Sequence, residues 1–539
     1  MRRHTVLLHT SVAVALLPLP FLTGCGGGSA SNSVPPSVAS TPSAAPPPPN
    51  PAPAPTPAPT PTPIGTLVVS PAAASLLPSA TLTLSAGING VPATDVTWSL
   101  LENSAGSITA AGTYTAPATS GTYHVRATSK LDGTIFAEAV ISVAPALSAN
   151  PVWVMGYYVG YHSSLQTPAQ VDYSSMTHIL IGAAEPRSDG SFDTTFFIDA
   201  VNGPIWARET VQRAHAAGTK AILMLGGAGF LSGFRATSDP AVRSAFVNNL
   251  KAIVSSYGFD GIDLDWEPMV LPGPGDPATP DDRPAVRALV QALHAALPNM
   301  IYTIPVGWNN ANFNGMAHPF YGELSASFDR INMMSYEMIW LGSGWESWHS
   351  SALYGSTGST PSSIDNTAQA LQAAGVPKSK IGIGIGFYGA AYEQGTWLNN
   401  VFVHATEGQW ITDPHQNTDN AHTRFSDNDV SYSNLMRYYY DAAAEKWDAT
   451  AQAPYLSWAT PKTIVGAPPA WASEPIKTSY VTYENARSIA GKGAYVRQQG
   501  LGGTIIWTIS EGYLGWQAGG EKDPLMKAVK TSFGLARVP

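Results

Sequence analysis

From residue 151 onward, short apolar runs alternate with longer segments in which apolar residues recur every three or four positions. The short runs have the length and composition of buried β-strands, and the longer segments have the period of amphipathic helices. Eight runs are candidate strands: 152–159, 177–183, 219–225, 259–266, 300–306, 330–336, 380–388 and 503–509. Eight strands that each connect to a helix predict an α/β fold, a (β/α)₈ TIM barrel over 151–535, with reactive groups at the carboxyl ends of its strands.

Two helical segments carry clear signals of their own. In one, Asp239 can cap the helix start, Pro240 occupies the first turn, and apolar residues such as Phe246 and Leu250 follow on one face. In the other, at 286–297, the apolar positions form a similar stripe. We therefore expect both helices to pack against the barrel.

The segment after the seventh candidate strand is longer than its counterparts, because residues 391–482 separate that strand from the next helical segment. A loop of this length without structure of its own is uncommon in a compact domain. We therefore predict an α+β insertion at about 391–482.

Residues 64–146 have a different pattern, with short β-rich runs separated by turn residues, as at 121–127 and 137–143. This pattern predicts a small all-β sandwich. A Val-Thr-Trp-Ser run at 96–99 and a Gly-Thr-Tyr-Thr-Ala-Pro run at 112–117 resemble bacterial immunoglobulin-like domains. We assign no chemistry to this region, and both a spacer and a weak carbohydrate-binding role stay open.

Residues 1–25 have the features of an export signal, in which two arginines and an apolar stretch at 6–22 precede Cys25. The Leu-Thr-Gly-Cys run at 22–25 resembles a bacterial lipobox, which implies a lipoprotein signal peptide and lipidation of Cys25. The alternative is an ordinary signal peptide with an incidental cysteine. We expect an extracytoplasmic protein that is held by a lipid at an outer membrane or cell surface, or is secreted.

Residues 26–63 are rich in Pro, Gly, Ser, Ala and Thr. Such a composition cannot bury a core, so we predict an extended, disordered linker. Cys25, which precedes it, is the only cysteine of the chain, so no intramolecular disulfide can form.

The overall composition excludes several classes of function. Charged residues make up 12% of the chain, the formal net charge is −9, and Lys and Arg do not cluster, which argues against nucleic-acid binding. His404, His415 and His422 lack metal-ligand spacing. We expect no metal, no cofactor and a monomer.

The fourth candidate strand ends in acids that alternate with apolar residues. Asp263, Asp265 and Glu267 are interleaved with Ile, Leu and Trp, so their carboxyl groups share one face of a strand. Residues two apart on a strand lie about 6.8 Å apart. At an effective dielectric near 20, two charges at about that distance repel by about 2.4 kcal/mol. We therefore expect one carboxyl to keep a proton at neutral pH, as a general acid requires.

The pattern Asp260-x-x-Asp263-x-Asp265-x-Glu267 resembles the signature of glycoside hydrolase family 18, which comprises chitinases and related endo-β-N-acetylglucosaminidases. The resemblance covers nearly all of 151–535. Further motifs that resemble the family lie at four other strand ends: Gly156-Tyr157-Tyr158, Met334-Ser335-Tyr336-Glu337, Phe387-Tyr388-Gly389 and Ile506-Trp507.

The resemblance implies roles for individual residues. Glu267 would protonate the glycosidic oxygen and later activate water, and Asp265 would orient the substrate's acetamido group. Asp263 would share a proton with Asp265, and the Tyr336 hydroxyl would bond the acetamido group. The remaining candidates are substrate contacts at Tyr157, Trp266, Met334, Glu337 and Trp507, and supporting residues at Asp260, Gly226 and Gly227.

The positions of the acids also constrain the mechanism. A retaining glycosidase with a carboxylate nucleophile needs carboxyl groups on both sides of the bond, about 5–5.5 Å apart. Asp265 and Glu267 follow each other on one strand and would approach from the same side. The nucleophile must therefore come from elsewhere, and the resemblance implies that it is the substrate's own acetamido oxygen.

These observations predict a chitinase-like glycoside hydrolase that cleaves β-1,4-linked N-acetylglucosamine polymers. Cleavage of N-glycans or peptidoglycan stays open, as does a non-catalytic chitin-binding surface lectin, although such lectins typically lose the acid that Glu267 supplies. Three residues depart from the family pattern: Met224 stands where Ser is usual, Glu337 where Asp is usual, and Ala390 where Arg is common. Their effects on rate and substrate preference stay open.

Overall fold

The structure of the chain is a computed structural model that describes residues 66–76, 79–88, 91–92, 95–119, 121–143, 152–272, 281–308, 317–341, 344–399, 401–406, 408–418, 421–425, 427–465 and 476–535. The predicted leader with Cys25 and the predicted linker lie outside these residues. The chain divides into two units, Met1–Gly65 and Thr66–Pro539, and the described residues all belong to the second.

The described residues up to Val143 form short strands: β1 Leu67–Ser70, β2 Ala73–Leu76, β3 Thr81–Thr83, β4 Ser85–Ile88, β5 Val91–Pro92, β6 Val96–Leu100, β7 Ser107–Ile108, β8 Thr113–Thr115, β9 Gly121–Ser129 and β10 Phe136–Val143. They pair in the orders β1-β4-β5, β2-β10-β9-β6 and β3-β8-β7. These sheets share one apolar core, in which Tyr114, Val125 and Ile141 are fully buried. The predicted immunoglobulin-like character of this body stays a prediction.

The strands that follow are β11 Trp153–Val159, β12 His178–Pro186, β13 Phe192–Asp193, β14 Lys220–Gly226, β15 Gly261–Asp265, β16 Ile301–Gly307, β17 Arg330–Met334, β18 Ile381–Gly386, β19 Ala390–Leu398, β20 Val401–His404, β21 Ala421–Phe425, β22 Glu445–Asp448, β23 Ala453–Ile464, β24 Ile476–Thr482 and β25 Gly503–Trp507.

The α-helices among the described residues are α1 Asn202–Ala216, α2 Leu231–Ala236, α3 Pro240–Tyr257, α4 Arg283–Ala296, α5 Phe320–Leu324, α6 Ile364–Ala373, α7 Tyr432–Asn434, α8 Ala486–Gln499 and α9 Pro524–Ser532. In this described part of the chain, no helix has both the length and the apolar character that crossing a membrane requires.

Eight parallel strands close into a barrel in the order β11, β12, β14, β15, β16, β17, β18 and β25, with β25 pairing back to β11. The predicted (β/α)₈ TIM barrel is therefore confirmed. The fourth barrel strand, β15, is shorter than predicted and ends at Asp265. The chain turns there, because the amide of Trp266 donates a hydrogen bond to the carbonyl of Leu264 at 3.0 Å.

Alternate residues of the barrel strands separate into two apolar layers. Met155, Leu180 and Ile222 belong to a core inside the barrel, whereas a larger core joins the outer faces of the strands to the helices. Helix α3 starts as predicted, with the Asp239 carboxylate accepting from the amide of Ala241 at 2.7 Å and proline in the first turn. Each buried leucine of α3 and α4 stabilises this packing by about 1.5–3 kcal/mol.

The insertion after the seventh barrel strand forms a sheet in the order β20-β19-β24-β23-β22, with β21 pairing to β19. It runs from Ala390 to Thr482, in agreement with the predicted 391–482. Helix α8 follows and leads into the last barrel strand. The insertion therefore begins just beyond the carboxyl end of β18, at the end of the barrel where this fold places its reactive groups.

The small N-terminal body contacts the rest of the second unit at helix α8, against which strands β9 and β10 lie. The guanidinium of Arg487, in the first turn of α8, stacks over the ring of Trp447 in the insertion at 3.8 Å. Burial lowers the pKa of Arg487 to about 10, against the charges of Glu102 and Glu138 from the N-terminal body. Arg487 thus connects three parts of the fold.

Candidate active site

The three acids predicted to act together lie at the carboxyl end of β15. Asp263 and Asp265 point into the barrel and are buried, at 0% and 2% exposure, whereas Ile262 and Leu264 face the helices. Glu267 lies in the turn after the strand and is partly exposed. It takes part in no ion pair with the residues that the structure describes. The alternation predicted this separation of acid and apolar faces correctly.

Asp263 is held by two hydroxyl groups. Tyr157 donates to its Oδ2 at 2.7 Å, and Thr303, the register partner of Asp263 on β16, donates to its Oδ1. Burial raises the pKa of Asp263 to about 6, although both hydrogen bonds lower it, and the charge of Glu267 raises it further. The Asp263 carboxyl is therefore fixed in position but has a weakened preference for its charged form.

Asp265 is the group whose charge the site disfavours most clearly. Burial, the charge of Glu267 and a hydrogen bond with Glu267 together raise the pKa of Asp265 well above its usual range. Within the described residues, Asp265 Oδ1 has no hydrogen-bond partner. Burial and the neighbouring carboxyl groups therefore favour the protonated form of Asp265, and its Oδ1 is left as a buried acceptor for a donor from outside.

Gly226 and Gly227 form the wall beside these acids. Both have positive φ, of +92° and +115°, and the amide of Gly227 donates to the carbonyl of Asp265 at 2.8 Å. A Cβ on Gly226 would lie 2.4 Å from the Phe234 ring. Their predicted supporting role agrees with this geometry, because the chain must turn closely past Asp265.

Replacing Gly226 with Ala is expected to destabilise the protein by about 2–5 kcal/mol, since it adds backbone strain to a steric clash. The measurement is the free energy of unfolding in urea. Gly218 is the matched control, because its φ is +77° and a Cβ there would meet nothing within 4 Å. Gly218→Ala should cost only about 1 kcal/mol. Equal costs for both variants would contradict the proposed contact with Phe234.

Tyr336 and Trp507 line the site from the sixth and eighth barrel strands. Burial raises the pKa of the Tyr336 hydroxyl well above its usual range, and the next causes are the charges of Glu267 and Asp265. The Tyr336 hydroxyl therefore lies close to the acid cluster, and its predicted bond to the acetamido group stays a prediction. Trp507 is partly exposed, and its ring centroid lies 5.2 Å from that of Tyr157. Contact of these two residues with a sugar stays a prediction.

Met334 and Glu337 flank Tyr336. Met334 ends β17 and packs at the edge of the inner barrel core. Glu337 has a φ of +52°, and its amide donates to Ser350 Oγ at 3.1 Å. Their roles as substrate contacts stay predictions.

Two predicted substrate contacts are placed elsewhere. Trp266 is 2% exposed in the outer core and stacks on Phe234, with ring centroids 5.0 Å apart and 12° between the planes. That prediction was wrong because Trp266 alternates with the acids and lies on the outer face with Ile262 and Leu264, where the indole meets Phe234 of α2. Tyr157 is 1% exposed, and its hydroxyl is used by Asp263. It positions an acid and offers little surface to a sugar.

Asp260 lies at the amino end of β15, away from the acid cluster. It accepts hydrogen bonds from Lys220 Nζ, His215 Nε2 and the amide of Ala221, each at 2.8 Å. Its pKa is lowered, since these contacts outweigh its burial. The predicted supporting role agrees with these contacts.

The sequence reasoning missed a group of three aromatic residues beyond the first three barrel strands. Tyr161, Phe197 and Phe230 follow the first, second and third barrel strands, with centroids 5.5 Å apart for Tyr161 and Phe197, and 6.3 Å for Phe197 and Phe230. Tyr161 is 40% exposed. The available signal was Tyr161, an aromatic residue two positions beyond the first predicted strand, whereas Phe197 lies too far from its strand to give one.

Met224, one of the three residues that depart from the family pattern, contributes to the burial of Asp263 and Asp265. It pairs in register with Asp263 and is 3% exposed. A Cβ atom placed on Gly227 would lie 3.4 Å from the methyl group of Met224 and 3.6 Å from Asp265 Oδ2, so these two groups lie on the same side of Gly227. An apolar thioether next to these carboxyl groups disfavours their charged forms.

The raised pKa of Asp263 predicts a pH effect on stability. Its value in the unfolded chain is about 3.9, so the folded state binds more protons between pH 4 and 6, and stability falls as the pH rises through this range. We expect the difference in unfolding free energy, wild type minus Asp263→Asn, to fall by about 2 kcal/mol from pH 4 to pH 7. The measurement is urea unfolding at each pH.

Asp189→Asn is the control for this experiment. Asp189 is fully exposed, and its pKa is lowered by hydrogen bonds from Ser191, so its linkage has the opposite sign. If the unfolding free energy of the wild type minus that of Asp263→Asn does not change between pH 4 and pH 7, burial does not raise the pKa of Asp263.

In the described part of the chain, no group of three or more His, Asp, Glu or Cys side chains is arranged to hold a metal ion. The carboxyl groups of Asp263, Asp265 and Glu267 and the hydroxyl of Tyr336 are groups that transfer protons and form hydrogen bonds.

A TIM barrel whose fourth strand ends in a buried Asp pair and a solvent-facing Glu defines a glycoside hydrolase. The chain belongs to glycosyl hydrolases family 18, whose model matches residues 153–512. The protein is thus a chitinase-like glycoside hydrolase.

Two curated relatives and one solved structure illustrate the similarity. The chain is 25% identical over 419 residues to a chitinase-like effector of Moniliophthora roreri, a match that covers 74% of this chain and 97% of that protein. It is 26% identical over 313 residues to Chitinase A1 of Niallia circulans, covering 54% of this chain and 40% of that protein. The fold is similar to the crystal structure of Ostrinia furnacalis Group IV chitinase in complex with allosamidin, with a TM-score of 0.53 and 18% identity over 71% of this chain and 99% of that chain.

Proposed function

We propose that this protein hydrolyses β-1,4-linked N-acetylglucosamine polymers, chitin or its oligomers, with retention of configuration and with the substrate's acetamido oxygen as nucleophile. The observation that carries the proposal is the buried Asp263 and Asp265 pair followed on the same strand end by the partly exposed Glu267. Because all three groups approach from one side, none of them can attack the far face of the sugar.

In this mechanism Glu267 donates its proton to the glycosidic oxygen as the acetamido oxygen attacks the anomeric carbon. The acetamido N–H binds Asp265, whose Oδ1 has no partner within the described residues, and the Asp265 carboxylate stabilises the oxazolinium charge. The proton of Asp265 passes to Glu267 along the hydrogen bond between them, and Asp263 keeps its hydrogen bonds from the hydroxyl groups of Tyr157 and Thr303. Tyr336 donates to the acetamido oxygen. Water activated by Glu267 then opens the ring and restores the proton to Glu267.

The test is hydrolysis of chitin oligomers, followed by NMR to identify the anomer released first. We expect the β-anomer, and slower turnover of aryl glycosides as the N-acyl group is fluorinated, because fluorine weakens the attacking oxygen. An α-anomer product would overturn the mechanism. Parallel assays on a glycoprotein and on peptidoglycan test the alternative substrates, and faster cleavage of either would replace chitin in the proposal.

The runner-up is a chitin-binding surface lectin without catalysis. The retained Glu267, open to the cleft and outside any ion pair with described residues, favours hydrolysis. Binding of chitin oligomers without product release, at enzyme concentrations equal to substrate, would favour the lectin.

We also propose that the protein is an extracytoplasmic lipoprotein anchored at Cys25, with an immunoglobulin-like N-terminal domain and a monomeric catalytic barrel. The lipobox-like run at 22–25 and the β-rich pattern of 64–146 support this arrangement. Cys25→Ala should move the protein from the membrane fraction to the soluble fraction. Unchanged membrane association of that variant would contradict lipid anchoring, and sedimentation of the soluble form measures the oligomeric state.

A further inference from the structure

The segment that carries Tyr336 and Glu337 lies beyond the end of β17 and depends on side-chain contacts for its position. Ser335 Oγ accepts from the amide of Gly384 at 2.8 Å and donates to its carbonyl at 3.1 Å. The amides of Glu337 and Met338 donate to Ser350 Oγ and to the Ser350 carbonyl. The segment is thus fixed between β18 and the loop at residues 350–351.

That loop is in turn held by a buried ion pair. Ser351 Oγ donates to the carbonyl of Ser335 at 2.6 Å, and Lys492 Nζ donates to Ser351 Oγ at 2.9 Å. Lys492, fully buried on α8, also pairs with the carboxylate of Glu484. Ser488 Oγ donates to the other oxygen of Glu484. Every group in this chain of contacts is at most 5% exposed.

The direction of these hydrogen bonds follows from the chemistry of the ammonium group. An ammonium can only donate, so Ser351 must accept from Lys492, and its single hydroxyl hydrogen is left for the carbonyl of Ser335. Without Lys492, the Ser351 hydroxyl could turn towards another acceptor. A buried ion pair is a weak source of stability compared with apolar packing, so its effect here is to fix this direction.

We propose that Lys492 is a positioning residue for the reaction, which acts through Ser351 and the Ser335 carbonyl to set the place of Tyr336 against the acid cluster. The inference rests on the proposed function, because it assigns Tyr336 a contact with the acetamido group. A displacement of about 1 Å at such a group can cost about 100-fold in rate.

The experiment compares Lys492→Met, Ser351→Ala and their double variant on a chitin tetramer, with kcat given per folded molecule. We expect each single variant to lower kcat by about 10- to 100-fold, with KM changed much less. The double variant should lose no more than the worse single variant, because both act along one path. Losses that multiply, or an unchanged kcat, would overturn the proposal. If Lys492→Met does not fold, Ser351→Ala carries the test alone, since it keeps the ion pair.

Lys380→Met is the matched control. Lys380 Nζ also donates to two backbone carbonyls, those of Ser325 and Phe328, but it precedes β18 at the opposite end of the barrel. It should lower stability and leave kcat per folded molecule within about twofold of wild type, as for changes distant from a site. An equal loss of kcat would show that Lys492 acts only through stability.

Crystal structures of the wild type and Ser351→Ala separate this inference from the proposed function. A shifted Tyr336 side chain in the variant supports the positioning role even if wild-type protein fails to cleave chitin oligomers. An unshifted Tyr336 overturns it even if the wild type is an active chitinase.

Discussion

Glu267→Gln is expected to lower kcat on chitin oligomers by about 10²- to 10⁴-fold, because the amide cannot donate the proton that the leaving oxygen needs. Binding should persist, since Glu267 lies at the edge of the cluster and its replacement keeps the shape of the side chain. The measurement is kcat from product release, with oligomer affinity from calorimetry.

The control for Glu267 is Glu323→Gln. Glu323 is exposed on α5, where it forms an ion pair with Arg287 on the outside of the barrel. Its replacement should leave kcat within about twofold of wild type. Near-normal hydrolysis by the Glu267 variant would remove it as the acid, and the function would have to be sought in binding.

Asp265→Ala is expected to lower kcat by about 10²- to 10³-fold, the usual cost of removing one group that stabilises charge in a transition state. Asp265→Asn should lose a similar factor, because an amide keeps the shape but cannot neutralise the oxazolinium. KM should change less than kcat for both variants. The measurement is steady-state kinetics on the same oligomers.

Asp189→Asn serves again as an exposed control for the charge change. A loss at Asp265 that appears in KM alone would mean that it only binds the sugar, and the assisted mechanism would then lose its stabilising group.

Local pattern predicted much of this architecture. Period-two alternation placed Asp263 and Asp265 on the inner face of a barrel strand, and the cap at Asp239 placed the start of α3. These features depend on residues within one element, and the physical chemistry of that element determines them.

Features that depend on contacts between elements were not predictable in the same way. The alternation already puts Trp266 on the outer face with Ile262 and Leu264, but its stacking partner Phe234 on α2 could not be read from the sequence. Tyr157 has the position of a sugar contact, but its hydroxyl lies on Asp263, which is 106 residues away in sequence. Lys492 is separated from Ser351 by 141 residues, so neither composition nor spacing could reveal their contact.

The protonation of the acid cluster was also only partly predictable from the sequence. Repulsion between neighbouring carboxyl groups predicted that one of them stays protonated. Which group does so depends on burial. The inner barrel wall, which includes Met224, buries Asp265 and Asp263 and raises the pKa of both. Glu267 is partly exposed, and its hydrogen bond with Asp265 is one of the causes that raise the pKa of Asp265.

The position of Arg487, over the ring of Trp447 and within the electrostatic reach of Glu102 and Glu138, has a practical consequence for how the catalytic part can be isolated. A truncated chain that starts at residue 151 would keep the whole cleft, but it would uncover the surface of α8 on which β9 and β10 rest. Such a fragment would expose a surface that favours self-association. Its Arg487 would also lose the two nearby carboxylates of Glu102 and Glu138. Expression of the chain from residue 66 onward avoids that exposure.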